Sequence, residues 1–393
     1  MRVLIAGLSA PTELNGVSRH AANLARGLLS LPDPPEIHFL AGAWQSGMFA
    51  RAIGSSDARL HMHSISIAHR NLARIRWYYR ELPRIARRLG ADVVHLSYTM
   101  PLDARAFRRP TVVSLHDLYP FDIPQNFGWF KGMVNRGLMH QCLRSVDAIA
   151  CVSESTRTRL KQRFGAPLSR KAITIRNAVE PVLASSARRP PELSGNESFL
   201  LCVAQHRQNK NIPLALRVFE RLLRGRVLGE NPRLLIVGIP GPDTGLIQMH
   251  IRQAGLDRSV TLLSGISDAE LQWCYQHSEL LLAPSSIEGF GLPVAEALLA
   301  GCPVVCSDIP AFREIGADRC RYVAFGENIV ERYELAVRDR LAEPRGEPVS
   351  LERLSPAAIA REYLSLYRRL LAPAAQRDWL FYAEPAGEEL EAG

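Results

Sequence analysis

The feature that most limits what this chain can fold into is the repeated alternation of short, continuously apolar runs with helix-patterned segments. Asp92-Val93-Val94-His95-Leu96 and Thr111-Val112-Val113-Ser114-Leu115 are runs of this kind. A strand that is apolar on both faces must be covered on both, so such runs predict parallel strands flanked by helices. In the first part of the chain they fall at 3–8, 36–40, 92–96, 111–115, 147–152 and 171–175, with helical patterns between them, as at 17–30 and 154–164. The segment 181–198 breaks the pattern with Ser185-Ser186, Pro190-Pro191 and Ser194-Gly195, and reads as a linker. A second set follows, with strands expected at 199–204, 233–238, 259–263, 279–283 and 303–306 and helices at 211–225, 267–276 and 293–300.

The fold class expected is therefore α/β: two doubly wound Rossmann-like domains, 1–180 and 181–355, facing a central cleft. Ligands of such folds sit at the carboxyl ends of the strands. An amphipathic helix near 356–371 follows, and the acidic, alanine-rich tail at 376–393 is expected to fray. A length of 393 residues suits two domains. No apolar run reaches the roughly 18 residues of a membrane helix. Val3-Leu4-Ile5-Ala6-Gly7-Leu8 reads as a buried strand, not a signal core. The seven cysteines form no Cys-x-x-Cys, and Cys202, Cys302 and Cys306 lie in apolar runs. Reduced core thiols in a cytoplasmic protein are the expectation.

Charge is divided unevenly: residues 1–180 hold 25 Lys and Arg against 12 Asp and Glu, the remainder 23 against 27. The basic half is expected to meet a different partner from the mildly acidic one. Its densest stretch, 70–90, has seven arginines, one acid, and Trp77, Tyr78 and Tyr79. Leu72, Ile75, Tyr79, Leu82 and Leu89 recur there at helical spacing, with Pro83 expected to break the helix in two. The pattern suits an anionic membrane surface or a lipid diphosphate. No nucleic-acid motif accompanies the charge.

The residues suited to chemistry concentrate in loops after strands. Glu288-Gly289-Phe290-Gly291-Leu292-Pro293-Val294-Ala295-Glu296-Ala297 runs from a strand into a helix. Its glycines permit close backbone approach, and Pro293 suits a first helical turn. The amides there form an anion site, flanked by a carboxylate in the loop and another one turn into the helix. Gln205-His206-Arg207-Gln208-Asn209-Lys210-Asn211 carries two cations that can meet a phosphate. In the first domain, Ser9–His20 is a turn opening a helix, where Asn15-Gly16 is expected to need the left-handed tolerance of Asn. His116-Asp117 ends a buried strand. His61 and His63 alternate along a strand face, and no further partner follows at metal-ligand spacing. A solvated face is the expectation there, and no metal site.

The Glu-Gly-Phe-Gly-Leu-Pro string with Glu296 resembles the Glu-x7-Glu motif of retaining GT-B glycosyltransferases of the family-four (group 1) type. Lys210-Asn211 is similar to the Lys-Asn or Lys-Gly pair of that family, and His116-Asp117 to its His-Asp. The resemblance implies sugar transfer from a nucleotide-sugar to a glycan or lipid-linked acceptor, with retention of configuration. It implies that Arg207, Lys210 and the amides at 290–292 (Phe290, Gly291, Leu292) hold the diphosphate, together with Gly16. It further implies that Glu288 binds sugar hydroxyls, Glu296 the ribose and His116 the transferred sugar, while Arg19 and His20 face the acceptor. The chain has no Asp-x-Asp, so no metal and no cofactor are expected. The enzyme is expected to be cytoplasmic, peripheral on the inner face of a membrane. Two other readings are a nucleotide-sugar 2-epimerase of the same fold and a non-catalytic nucleotide-sugar-binding partner subunit.

Overall fold

The computed structural model describes residues 1–180, 187–193 and 198–373. The chain divides into two compact units. Unit 1 comprises Met1–Leu118, Met133–Ala178 and the chain from Pro356; unit 2 comprises Tyr119–Gly132 and Val179–Ser355. Most of the expected linker, and the tail at 376–393, lie outside the described residues.

Unit 1 is built on a parallel sheet of β1 (Arg2–Ala6), β2 (Glu36–Gly42), β3 (Leu60–Ile65), β4 (Val93–Leu96), β5 (Thr111–Leu115), β6 (Ala148–Cys151) and β7 (Ala172–Thr174), in the order β3-β2-β1-β4-β5-β6-β7. Its central strands are wholly buried, as their unbroken apolar runs require. Helix Gly16–Leu29 packs on helix Pro356–Leu371 so closely that a Cβ on Gly27 would lie 2.4 Å from the Pro356 carbonyl oxygen. The buried Tyr363 and Tyr367 enter the core of unit 1 from that last helix.

Unit 2 repeats the plan with β8 (Phe199–Val203), β9 (Arg233–Val237), β10 (Val260–Leu263), β11 (Leu280–Ala283), β12 (Val304–Ser307) and β13 (Arg321–Val323), ordered β10-β9-β8-β11-β12-β13. In each sheet the order reverses beside the first strand, between β1 and β4 and between β8 and β11. Loops on the two sides of a reversal diverge and leave a crevice at the carboxyl ends of the strands.

Three local expectations are corrected. Asn15 is extended (φ −118°), not left-handed. Its Oδ1 accepts from Ser18 N at 3.0 Å while Asn15 N donates to Ser18 Oγ at 2.8 Å, a reciprocal cap that starts the helix at Gly16. Pro83 does not break its helix: a π turn at Trp77–Glu81 joins Asn71–Arg76 to Leu82–Arg88, and Pro83 enters at the first turn of the last piece. The faces also differ from the spacing argument. Trp77, Tyr78 and Arg74 are buried, whereas Leu72 and Tyr79 are exposed.

Candidate functional site

At the reversal point of unit 2, the loop after β8 meets the loop after β11. Asn209 O accepts from Ser286 N at 2.8 Å, and Asn209 Nδ2 donates to Ile287 O at 3.3 Å. This fastening presents Lys210 to Glu288: Nζ lies 2.6 Å from Oε1 and 2.7 Å from Oε2. Both side chains are largely buried, 16% and 8% exposed. Tyr119 OH donates to Glu288 Oε2 at 3.3 Å. Asn211 explains why an Asn follows the lysine. It takes the left-handed conformation (φ 50°, ψ 39°) that turns the chain into helix Ile212–Arg224, and Asn tolerates that region where most residues do not.

Arg207 lies in the same loop, partly exposed, and makes no ion pair among the described residues. Its neighbour His206 is buried. Its Nδ1 is 3.0 Å from Thr244 Oγ1, and burial lowers its pKa. His206 Nε2 and Asn209 Oδ1 are buried without a hydrogen-bond partner among the described residues. Native interiors rarely leave such atoms unsatisfied except where a ligand or water completes them.

Gly291 opens helix Leu292–Leu299 at φ 110°, and a Cβ there would lie 2.9 Å from the Phe312 ring. Only glycine fits both conditions. Phe290 is buried, and Pro293 sits in the first turn as its fixed φ favours. Glu296, one turn in, accepts from Tyr275 OH at 2.8 Å. Burial above all, and then the Glu296 charge, raise the Tyr275 pKa well above its usual value, so this tyrosine stays a donor.

Unit 1 brings together a second set. His116 leaves the end of β5, and its Nε2 is 2.8 Å from Ser97 O at the end of β4. Beneath it, Ser114 Oγ lies 2.8 Å from His20 Nε2, 2.9 Å from His95 Nε2 and 3.1 Å from Tyr363 OH. Tyr367 OH reaches His95 Nδ1 at 2.7 Å. His20 and His116 meet edge to face, 4.9 Å between ring centres. His20, expected on the acceptor side, is 4% exposed and packs its ring against that of His116. Arg19 stays partly exposed and Gly16 exposed on the opening turn of their helix.

Burial is the main force on these imidazoles. It lowers His95 to about 3 and His116 to about 4, and places His20 well below 6.5. A histidine depressed in the fold binds fewer protons there than in the unfolded chain. Its contribution is complete above about 6.5 and is lost as pH falls toward the folded pKa. Stability should therefore drop by roughly 1.4 kcal/mol per pH unit for each histidine in that window. Urea unfolding at about pH 7 and pH 5 measures it, and an unchanged midpoint would show that these histidines protonate within the intact fold.

Tyr119, His206, Asn209, Gly238, Gly241 and Tyr275 were not singled out from sequence. A Cβ at Gly238 would lie 1.9 Å from Ala204 O, and one at Gly241 2.5 Å from His206 O, so both glycines abut the backbone that carries Arg207. The Gly238-x-x-Gly241 spacing after a buried strand was the available signal.

The family profile "Glycosyl transferases group 1" matches residues 185–358, and "Glycosyltransferase Family 4" matches residues 14–182. O-antigen chain mannosyltransferase B of Escherichia coli is 24% identical over 328 residues, 81% of this chain and 85% of that protein. Serotype-specific mannosyltransferase WbdA of Escherichia coli is 31% identical over 204 residues, 50% of this chain but 23% of that protein. Among solved structures, Anabaena Alr3699/HepE in complex with UDP and glucose superposes with a TM-score of 0.64 at 15% identity, covering 94% of this chain and 99% of that one. The two profiles fall on the two Rossmann-like units in turn, and the chain belongs to the group 1 glycosyltransferases, with the GT-B fold.

Proposed function

We propose that the protein transfers a hexosyl group from a nucleotide-sugar to a glycan or lipid-linked acceptor, with retention and without a metal ion, in the synthesis of a cell-surface polysaccharide. The observation that carries this reading is the buried Lys210–Glu288 pair at the reversal point of unit 2, beside Arg207. The related mannosyltransferases make a mannosyl donor the first expectation.

In this reading unit 2 binds the donor. An ammonium has three N–H donors. Two of those on Lys210 go to Glu288, and the third, with Arg207, meets the diphosphate. Both cations stabilise the charge that grows on it as the glycosidic bond breaks. The amides at the start of helix Leu292–Leu299 add their partial positive charge. These groups supply what a divalent ion would, and the chain has no Asp-x-Asp to hold one. Glu288 receives sugar hydroxyls, and Glu296, oriented by Tyr275, receives those of the ribose. His116 touches the transferred sugar. The departing phosphate oxygen takes the acceptor's proton, so no protein base is needed.

A thermal-shift screen of GDP-mannose and UDP-, dTDP- and ADP-sugars in EDTA tests the donor site. One donor should raise the melting temperature, and Glu296→Ala should abolish the rise. No rise with any donor, in folded protein, would count against the donor site, and a rise without transfer to any acceptor would support the non-catalytic partner reading. A free epimer formed without acceptor would support the 2-epimerase.

Unit 1 binds the acceptor. Arg76, Arg80, Arg84 and Arg88 are exposed beside Leu72 and Tyr79, which suits contact with anionic lipid at the inner face of a membrane. No helix among the described residues is long and apolar enough to cross a membrane. Changing these four arginines to Glu should abolish co-flotation with anionic vesicles. Unaltered flotation would remove the membrane from the proposal. Arg74, in the same stretch, is buried and donates to Asn71 Oδ1, so it is not available to a lipid surface.

A further inference from the structure

A cluster of side chains that the transfer reaction does not use lies at one edge of the unit 1 sheet. β2 and β3 run parallel, and their register sets His38 opposite His61 and Leu40 opposite His63. Side chains two apart on a strand share a face, so Glu36 and His38 of one strand meet His61 and His63 of the next. His38 Nε2 is 3.2 Å from Glu36 Oε1, and His61 Nε2 is 3.4 Å from the same oxygen. The His38 and His61 rings stack with centres 4.8 Å apart. One donor atom from each of Glu36, His38 and His61 lies within 4.8 Å of the others.

These separations have a chemical meaning. A tetrahedral ion with bonds of about 2.0–2.1 Å holds its donor atoms roughly 3.3–3.4 Å apart. The two carboxylate–imidazole spacings match that edge. The surroundings match it as well. His38 Nδ1 is 2.9 Å from His63 Nε2, the kind of outward hydrogen bond that orients a metal-binding imidazole. Glu36 Oε2 is held by Arg2 Nε at 3.0 Å, which leaves Oε1 facing the two imidazoles. Arg2 is the cation nearest the cluster, and it is itself committed to Glu36 and to Leu89 O. Arg88 bears on His63, the imidazole behind the donor set. His61 is 43% exposed and leaves an entry path.

We propose that Glu36, His38 and His61 form a site for one divalent transition-metal ion, zinc being the representative case, with His63 as hydrogen-bond support and solvent completing the shell. Two imidazoles and one carboxylate are a donor set suited to zinc, cobalt or nickel. β3 is the sheet's edge strand and pairs with β2 alone among the described residues. An ion shared by the two strands pins that edge and stabilises the folded state by mass action. The ion takes no part in sugar transfer, whose proposed diphosphate-binding cations, Arg207 and Lys210, belong to unit 2.

The alternative occupant of the gap between His38 and Glu36 is a proton on Nε2, and titration calorimetry separates the two. Untagged full-length protein, stripped with EDTA and dialysed, is titrated with zinc chloride, and its melting temperature is read with and without the ion. One equivalent should bind and raise the melting temperature. His61→Ala, a change at an exposed side chain, should weaken binding at least tenfold and remove the rise, as should Glu36→Gln. His63→Ala should weaken binding less, while His250→Ala and His277→Ala should leave it unchanged. Absence of binding in the wild type, or binding that survives His61→Ala undiminished, would overturn the site. Neither result bears on the donor screen, which is run in EDTA.

Discussion

Replacing Lys210 with alanine is expected to lower sugar transfer by about 10²–10³-fold and to destabilise unit 2 by roughly 3–5 kcal/mol. The two losses have separate origins. Stability falls because Glu288 is 8% exposed and Lys210 holds both of its oxygens, at 2.6 and 2.7 Å. Without the lysine the carboxylate remains buried, and Tyr119 OH, 3.3 Å from Oε2, is a neutral donor that does not replace the lost ammonium. An uncompensated buried charge costs more than the intact pair was worth. The rate falls because a cation aimed at the diphosphate is gone. Lys210→Met combined with Glu288→Gln separates the effects. With both charges removed, most of the stability should return, while transfer stays at the level of the single variant or below. Denaturant unfolding and initial rates with the identified donor measure both. A double variant as unstable as Lys210→Ala would show that the pair's charge is not what the fold depends on. A single variant that transfers at the wild-type rate would remove Lys210 from the diphosphate site.

The parts of this site that were legible in sequence are those whose geometry is local. Glu288, Gly291, Pro293 and Glu296 lie within one strand–loop–helix connection, and Lys210-Asn211 within another, so spacing alone places them on the right elements. What joins the two connections is the strand order, which sets β8 beside β11 although more than 70 residues separate their loops. Tyr119, which reaches Glu288 from a segment that groups with unit 2, had no sequence signal. The same holds for the edge cluster: His61 and His63 were visible as an alternating pair, but Glu36 and His38 join them only through the β2–β3 register. Central strands declared themselves by unbroken apolar runs. β3 and the three-residue β13, at the sheet edges, carry polar residues and short lengths that blur the signal. In 71–88 the helix was legible but its faces were not, because the π turn at Trp77–Glu81 shifts the helical phase and turns Trp77 and Tyr78 inward.

Gly238 and Gly241 should respond to the same small change with graded effects, and the second tests whether the loop's position matters to the rate. At Gly238, just after β9, an added Cβ would lie 1.9 Å from Ala204 O and 2.6 Å from Ala204 C. The contact is with backbone that follows a buried strand, and no side-chain rotation relieves it. Gly238→Ala therefore forces β8 and β9 apart where Ala204 N donates to Val237 O at 2.9 Å. Overpacking of this kind costs about 1–3 kcal/mol or more in a well-packed core, and here the partner is a main chain. Loss of folded unit 2 is the expected result. At Gly241 the added atom would lie 2.5 Å from His206 O, in a loop, and 3.7 Å from Arg207 Cγ. The chain there can yield, and it yields by moving His206 and Arg207 by a fraction of an ångström to an ångström. His206 N donates to Ile239 O at 3.2 Å and Asp243 N to His206 O at 3.1 Å, so the displacement also strains the two bonds that hold the loop. A misplacement of about 1 Å costs roughly 10²-fold in rate when a catalytic group has to meet its target. Gly241→Ala should accordingly keep its fold, by circular dichroism and melting temperature, and lose transfer by about that factor. If it transfers at the wild-type rate, the position of Arg207 is not limiting, and the diphosphate is held by Lys210 and the helix amides without it.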